Sequence, residues 1–185
     1  MDATTAMNQT NALVTTMVGS LTPEHREMAT PCDDWSVHDL LGHMCGGVQG
    51  MAGGLQDQAP PEEAPDFLAQ GPAAGWADAR AALEAAATPE ALTAMHQMPF
   101  GEVPGEMAVS VIVADVVTHA WDLGQATGID DGISDELAAF ALQVWMPLVP
   151  AEGRTGDGFK AVVGVGSDAS ALDNLVAYTG RQPSA

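Results

Sequence analysis

Apolar residues recur at helical spacing in several separated stretches of this chain, and most stretches carry their own start or stop signal. Leu13, Met17 and Leu21 share one face of a segment predicted to be helical over residues 4–20. Thr22-Pro23-Glu24 reads as a cap with proline at the first helical position, which predicts a short turn over 23–28. After the loop TPCDDW, Ser36 opens a second helix, with Asp39 three residues on as a weaker form of the capping box. Its apolar stripe is Val37, Leu40, Leu41, Met44 and Val48, and its glycines leave the C-terminal end undefined. A proline-rich acidic connection over 57–72 precedes a helix predicted over 75–87 and a short one over 89–96. MPFGEVPGE breaks the pattern as a β-like turn or loop. A strong helix follows over 107–127, stopped by Gly128. Ser134 caps another that ends at about 146, before Pro147, and ASALDNLVAYTG supplies a last short helix after a glycine-rich stretch. Four substantial helices joined by unequal loops predict a mainly all-α fold. That fold is an antiparallel four-helix bundle with a short irregular C-terminal segment, one domain over 1–185, whose site is built from inward-facing side chains.

Composition narrows the function. Hydrophobic residues make up 46% of 185, enough for a packed core. Five Lys and Arg stand against 25 Asp and Glu, a formal charge of −20. Such a surface repels phosphate backbones and anionic headgroups, which argues against nucleic acid or membrane as partners. No apolar run of membrane-spanning length stands out, and the first residues lack the basic start of a secretory signal, so a cytoplasmic location is expected. Cys32 and Cys45 fit no metal-knuckle or redox spacing and are expected to be small buried thiols away from the chemistry.

The segment SVIVADVVTHAWDLGQATG is the informative one. Val111, Asp115, His119 and Asp122 share one helix face, and Asp115 and His119 lie one turn apart. The rest of that face is apolar, so the pair points into the bundle. A carboxylate buried there costs several kcal/mol, on the order of 3–5, unless a positive group compensates it. A metal ion would do so, and so would a protonated histidine. His43, on the stripe of Leu40 and Met44, faces inward from the second helix. Together His43, Asp115 and His119 make a three-ligand set for a divalent metal, with one coordination position open, as in catalytic zinc sites. Asp122 has two readings, as the group that orients a ligand histidine or as a carboxylate bonded to a neighbouring loop. His25, His38 and His96 are expected to face solvent. Trp35, Trp76 and Trp145 are expected in core packing, with a pocket wall as the alternative. Because cations are so scarce, Arg154 and Arg181 are candidates to hold a substrate carboxylate.

TPCDDWSVHDLLGHM, followed downstream by DVVTHAWDLGQATG, resembles the metal-binding domain of the mycothiol-dependent maleylpyruvate isomerase family, within the DinB/YfiT-like superfamily of four-helix bundles. The ending FKAVVGVGSDASALDNLVAYTGRQP resembles that of its shorter actinobacterial members. The resemblance implies metal ligation by the histidine that closes the first block, here His43, and by an acidic residue and histidine four apart in the second, here Asp115 and His119. The isomerase carries glutamate at the acidic position. Aspartate is one methylene shorter, so the ion would sit closer to this helix or be reached through water.

Three functions follow as expectations. The first is a small-molecule enzyme, a transferase or isomerase dependent on mycothiol or a similar thiol, with zinc (or nickel) as its divalent ion. The second is a thiol-independent metal-dependent cyclase, isomerase or hydrolase in small-molecule biosynthesis. The third is a non-catalytic metal or small-molecule binding protein. A homodimer is compatible with each.

Overall fold

A computed structural model describes residues 1–154 and 158–183. Seven helices and one hairpin follow in chain order: α1 (Ala3–Gly19), a single 3-10 turn (Pro23–His25), α2 (Val37–Leu55), α3 (Pro72–Ala86), α4 (Pro89–Thr93), β1 (Met95–Met98), β2 (Gly101–Pro104), α5 (Gly105–Thr127), α6 (Asp135–Leu148) and α7 (Ala171–Tyr178). The fold is mainly α-helical, as expected of a DinB-like protein. Helices α1, α2, α3 and α5 pack in a closed ring, α1 on α5, α5 on α2, α2 on α3 and α3 on α1. Helix α6 packs on α5, and α7 packs on α6.

Local chemistry sets most boundaries. The Ser36 hydroxyl accepts from the Asp39 N–H at 3.2 Å while the Asp39 carboxylate accepts from the Ser36 N–H at 3.0 Å, a reciprocal cap that starts α2. Ser134 caps α6 through the Leu137 N–H, and Gly128, left-handed at φ 72°, stops α5. Several boundaries differ from the sequence expectation, among them the start of α5 at Gly105 rather than 107 and the end of the 3-10 turn at His25 rather than 28. Helix α3 begins at Pro72, three residues early, because proline suits a first turn. Helix α6 carries Pro147 within its last turn and continues to Leu148. The segment expected to be helical through His96 instead leaves α4 after Thr93 and pairs as β1 with β2, Met95 opposite Pro104.

The core lies inside the helical ring and includes Met17, Leu40, Leu41, Met44, Trp76, Leu83 and Leu123. Helix α5 runs through it. By length and composition this helix could cross a membrane, contrary to the sequence reading, but 83% of its apolar window is buried within the protein. It is the central core helix. At its start, Gly105 packs so closely on α4 that a Cβ would lie 2.2 Å from the Ala91 carbonyl oxygen.

Candidate metal centre

Helix α5 presents Asp115 and His119 on one face, and α2 presents His43 opposite them. His43 Nε2 stands 3.4 Å from Asp115 Oδ2, and His119 Nε2 stands 3.6 Å from Asp115 Oδ1. The two imidazole centroids are 4.9 Å apart at 80°. One ligand atom from each residue fits within 4.8 Å of the others. Donors at 2.0–2.2 Å from a tetrahedral ion stand roughly 3.3–3.6 Å apart, so the spacing suits one divalent cation. The trio is graded in burial: the His43 side chain is 41% exposed, that of Asp115 25% and that of His119 11%.

Asp122 sits behind His119, fully buried, and accepts from His119 Nδ1 at 2.9 Å. Its carboxylate also takes two bonds of 2.7 Å from Arg181, at Nε and at a terminal nitrogen. Burial opposes its ionisation, but the bonds from His119 and Arg181 outweigh burial and hold its pKa down at about 2. An ionised carboxylate only accepts, so His119 Nδ1 must carry the proton. In a neutral imidazole, Nε2 then presents a lone pair to Asp115. An acceptor facing a carboxylate oxygen at 3.6 Å calls for a cation between them, metal or proton. Asp115 is likewise held below the usual carboxylate range. Burial resists this, and His119, His43 and Arg181 together prevail. The hydrogen bond to Asp115 raises His43. Asp122 is thus bonded both to His119 and to the C-terminal segment.

The site opens into a cavity of about 670 Å³, walled by Trp35, Trp145 and Phe159, with Lys160 and Gln182 also lining it. Trp35 lies 4.8 Å from the His43 ring, and Trp145 meets Phe159 edge-on at 4.9 Å. Trp76 is a core residue, whereas Trp35 and Trp145 both pack and line the cavity. Bonds from Thr30 to Trp35 and from Trp35 to Cys32 pinch TPCDDW into a tight loop, with Asp33 at φ 46°. On the other side the C-terminal segment is drawn in at Gly180, φ 85°, where a Cβ would come within 2.7 Å of the Lys160 backbone. Lys160 then pairs with Asp33 at 2.5 Å, joining the two rims.

Four sequence expectations are corrected. Cys32 is not remote from the site. Its thiol lies 3.0 Å from Asp122 and 3.7 Å from His119 Nδ1. Burial, with Asp122 beside it, pushes that thiol up to about 12, so it is a donor and not a nucleophile. Cys32, His119 and Asp122 form a second cluster of ligand types, but Arg181 already occupies the Asp122 oxygens, and its charge opposes an ion there. His96 is 5% exposed and sits between the Ala91 carbonyl and Asp57. His25 and His38 are only partly exposed, and both line a second cavity. Arg154 is turned away from the metal-site cavity. It donates to the carbonyls of Val149, Pro150, Lys160 and Tyr178 and lies over the Tyr178 ring, so it fastens the C-terminal segment. Arg181, by contrast, lines the cavity, with most of its donors directed to Asp122, Cys32 and the Thr179 carbonyl. No spacing rule could have joined residues 32, 122 and 181. The scarcity of arginine was the signal that drew attention to position 181.

The fold and site define a mainly helical bundle whose facing helices bring imidazole, carboxylate and imidazole together. The chain belongs to the family of the mycothiol maleylpyruvate isomerase N-terminal domain, whose model matches residues 8–124. It is also 35% identical over 153 residues to uncharacterized proteins from two strains of Mycobacterium tuberculosis, covering 82% of each chain. No solved structure matches significantly. The family match contains His43, Asp115, His119 and Asp122, whereas Phe159, Lys160 and Arg181 lie beyond it.

Proposed function

We propose that His43, Asp115 and His119 hold a divalent cation, zinc or nickel, and that the chain is a small-molecule enzyme using a low-molecular-weight thiol in transfer or isomerisation. The observation that carries the metal reading is the His119 ring, held at Nδ1 by Asp122 so that Nε2 faces the Asp115 carboxylate at 3.6 Å with His43 within ligand distance of both. The thiol reading draws on the family, whose name refers to mycothiol. A divalent ion in this position would supply a Lewis acid and lower the pKa of a thiol or water held against it.

The protein's own groups have separate tasks. Asp122, braced by Arg181, holds the His119 tautomer and ring orientation. Trp35, Trp145 and Phe159 give the cavity apolar walls that displace water from a bound molecule. His43, the most exposed of the three ligands, faces the cavity mouth, where a second reactant would enter. Cys32 stays protonated and does not compete with an external thiol.

Metal analysis followed by cobalt substitution tests this. The expected result is one ion per chain and new sulfur-to-cobalt absorption when N-acetylcysteine or mycothiol is added. Stoichiometric cobalt with no spectral response to thiol would replace the thiol reading by a thiol-independent one. No ion at stoichiometric level would leave a small-molecule binding protein.

A further inference from the structure

A second cavity of about 460 Å³ lies beside the first turns of α2, on a different face from His43. It is bounded by the end of α1, the 3-10 turn and the start of α3. Its volume falls in the roughly 300–1,000 Å³ range of small-molecule clefts. Val18, Leu41 and Leu68 contribute apolar wall, and His25, Arg26 and His38 supply the charge-bearing side chains. The contrast with the rest of the molecule is sharp. The chain has 25 carboxylates and ten basic side chains, five Lys and Arg and five His. No carboxylate of the described residues lines this cavity, and three of the ten basic groups do.

The hydrogen bonding leaves these groups room to act. His25 Nδ1 accepts from the Thr22 N–H at 3.0 Å, which places its proton on Nε2, a donor without a protein partner among the described residues. Arg26 gives Nε to Glu27 at 3.1 Å and one terminal nitrogen to His38 Nε2 at 3.1 Å. Its other terminal nitrogen has no partner among the described residues. His38 is thereby an acceptor at Nε2 and a donor at Nδ1. Donors, a guanidinium that Glu27 engages only at Nε, and apolar walls converge here, and no acid of the described residues lines the cavity. That chemistry favours anions over cations.

We propose that this second cavity binds a small organic anion with an apolar body, a carboxylate or sulfonate whose charged group meets Arg26 and His25 and whose hydrocarbon part lies on Leu41 and Leu68. The site is separate from the metal centre and does not depend on the reading of that centre.

The probe is 1-anilinonaphthalene-8-sulfonate, followed by fluorescence titration of the full chain. N-phenyl-1-naphthylamine, which has the same ring system without the sulfonate, serves as the control. One sulfonate per chain is expected, bound at least tenfold more tightly than the neutral control. Arg26→Gln, at an exposed side chain, should weaken the sulfonate at least tenfold. Gly19→Phe adds bulk at the cavity edge, where a Cβ meets nothing within 4 Å, and should block both dyes while helix content stays unchanged. Equal binding of the two dyes would overturn the proposal, as would a loss below twofold in Arg26→Gln. Abolition by Lys160→Gln would place the dye in the metal-site cavity and overturn it too.

Discussion

Replacing Arg181 with leucine removes both 2.7 Å bonds to Asp122 and leaves that carboxylate with His119 and Cys32 as its remaining partners. Asp122 is fully buried and the Arg181 side chain 10% exposed, so solvent screening offers little relief. Breaking a buried pair from one side costs about 3–5 kcal/mol, because the surviving charge has no compensation. For a chain of this length the loss corresponds to a fall in Tm of about 6–20 °C. Thermal and urea unfolding at pH 7 in the presence of a chelator would measure it free of any metal contribution. The pH dependence has a definite sign. Asp122 is depressed in the folded state to about 2 from the ordinary 3.8, so the pair's stabilisation is present above pH 3.8 and is lost as pH falls toward 2. The gap between wild type and Arg181→Leu should therefore be widest near neutrality and narrow in acid. The double variant Arg181→Leu/Asp122→Asn, which removes the stranded charge, should recover most of the loss. A single-variant cost below about 1 kcal/mol, or a double variant that loses the sum of its parts, would refute the account of Arg181 as a brace for Asp122.

Other consequences are as direct. His43→Ala and His119→Ala should each abolish tight metal uptake in equilibrium dialysis with the far-ultraviolet spectrum unchanged, and Asp115→Glu should retain or strengthen uptake. Full occupancy in all three variants would place the ion elsewhere. Cys45 is buried in α2, and burial pushes its thiol up to about 12, as happens also at Cys32. Dithionitrobenzoate at pH 8 should titrate fewer than two thiols rapidly in the native protein and two after denaturation; immediate reaction of both in the native state would contradict that burial. Gly105→Ala should cost about 1–3 kcal/mol, because its methyl would meet the Ala91 carbonyl rather than a yielding side chain, and an unchanged urea midpoint would show that α4 can move aside.

The sequence made the helices legible where periodicity and caps agreed. Ser36 with Asp39, Ser134 with Leu137, and Gly128 all act as their residue types suggest. It misplaced His96 because helix propensity after Pro89 competes with strand pairing, and pairing to residues 101–104 is invisible to a local window. The convergence of His43 with Asp115 and His119 could be anticipated, since each stands on the inward stripe of its own helix. Cys32 and Arg181 could not be placed in that way. They sit on irregular segments, and their positions are set by a pinched loop and by the close approach at Gly180.

The Arg181–Asp122–Cys32 junction also has a consequence for the order of events during biosynthesis. Cys32 and Arg181 are 149 positions apart, and Asp122 and Arg181 are 59 apart. Chains grow at about 5–20 residues per second, so after residue 122 is made the ribosome needs roughly 3–12 seconds more to supply the arginine. During that interval no guanidinium is available to Asp122, whose partners in the finished fold are then limited to His119 and Cys32. Closing the junction is thus a late step, and a non-local one with its own entropic cost. Premature termination just short of position 181 would yield a chain with all three candidate ligands but an unsupported centre, a fragment whose affinity for ions should differ from that of the finished protein.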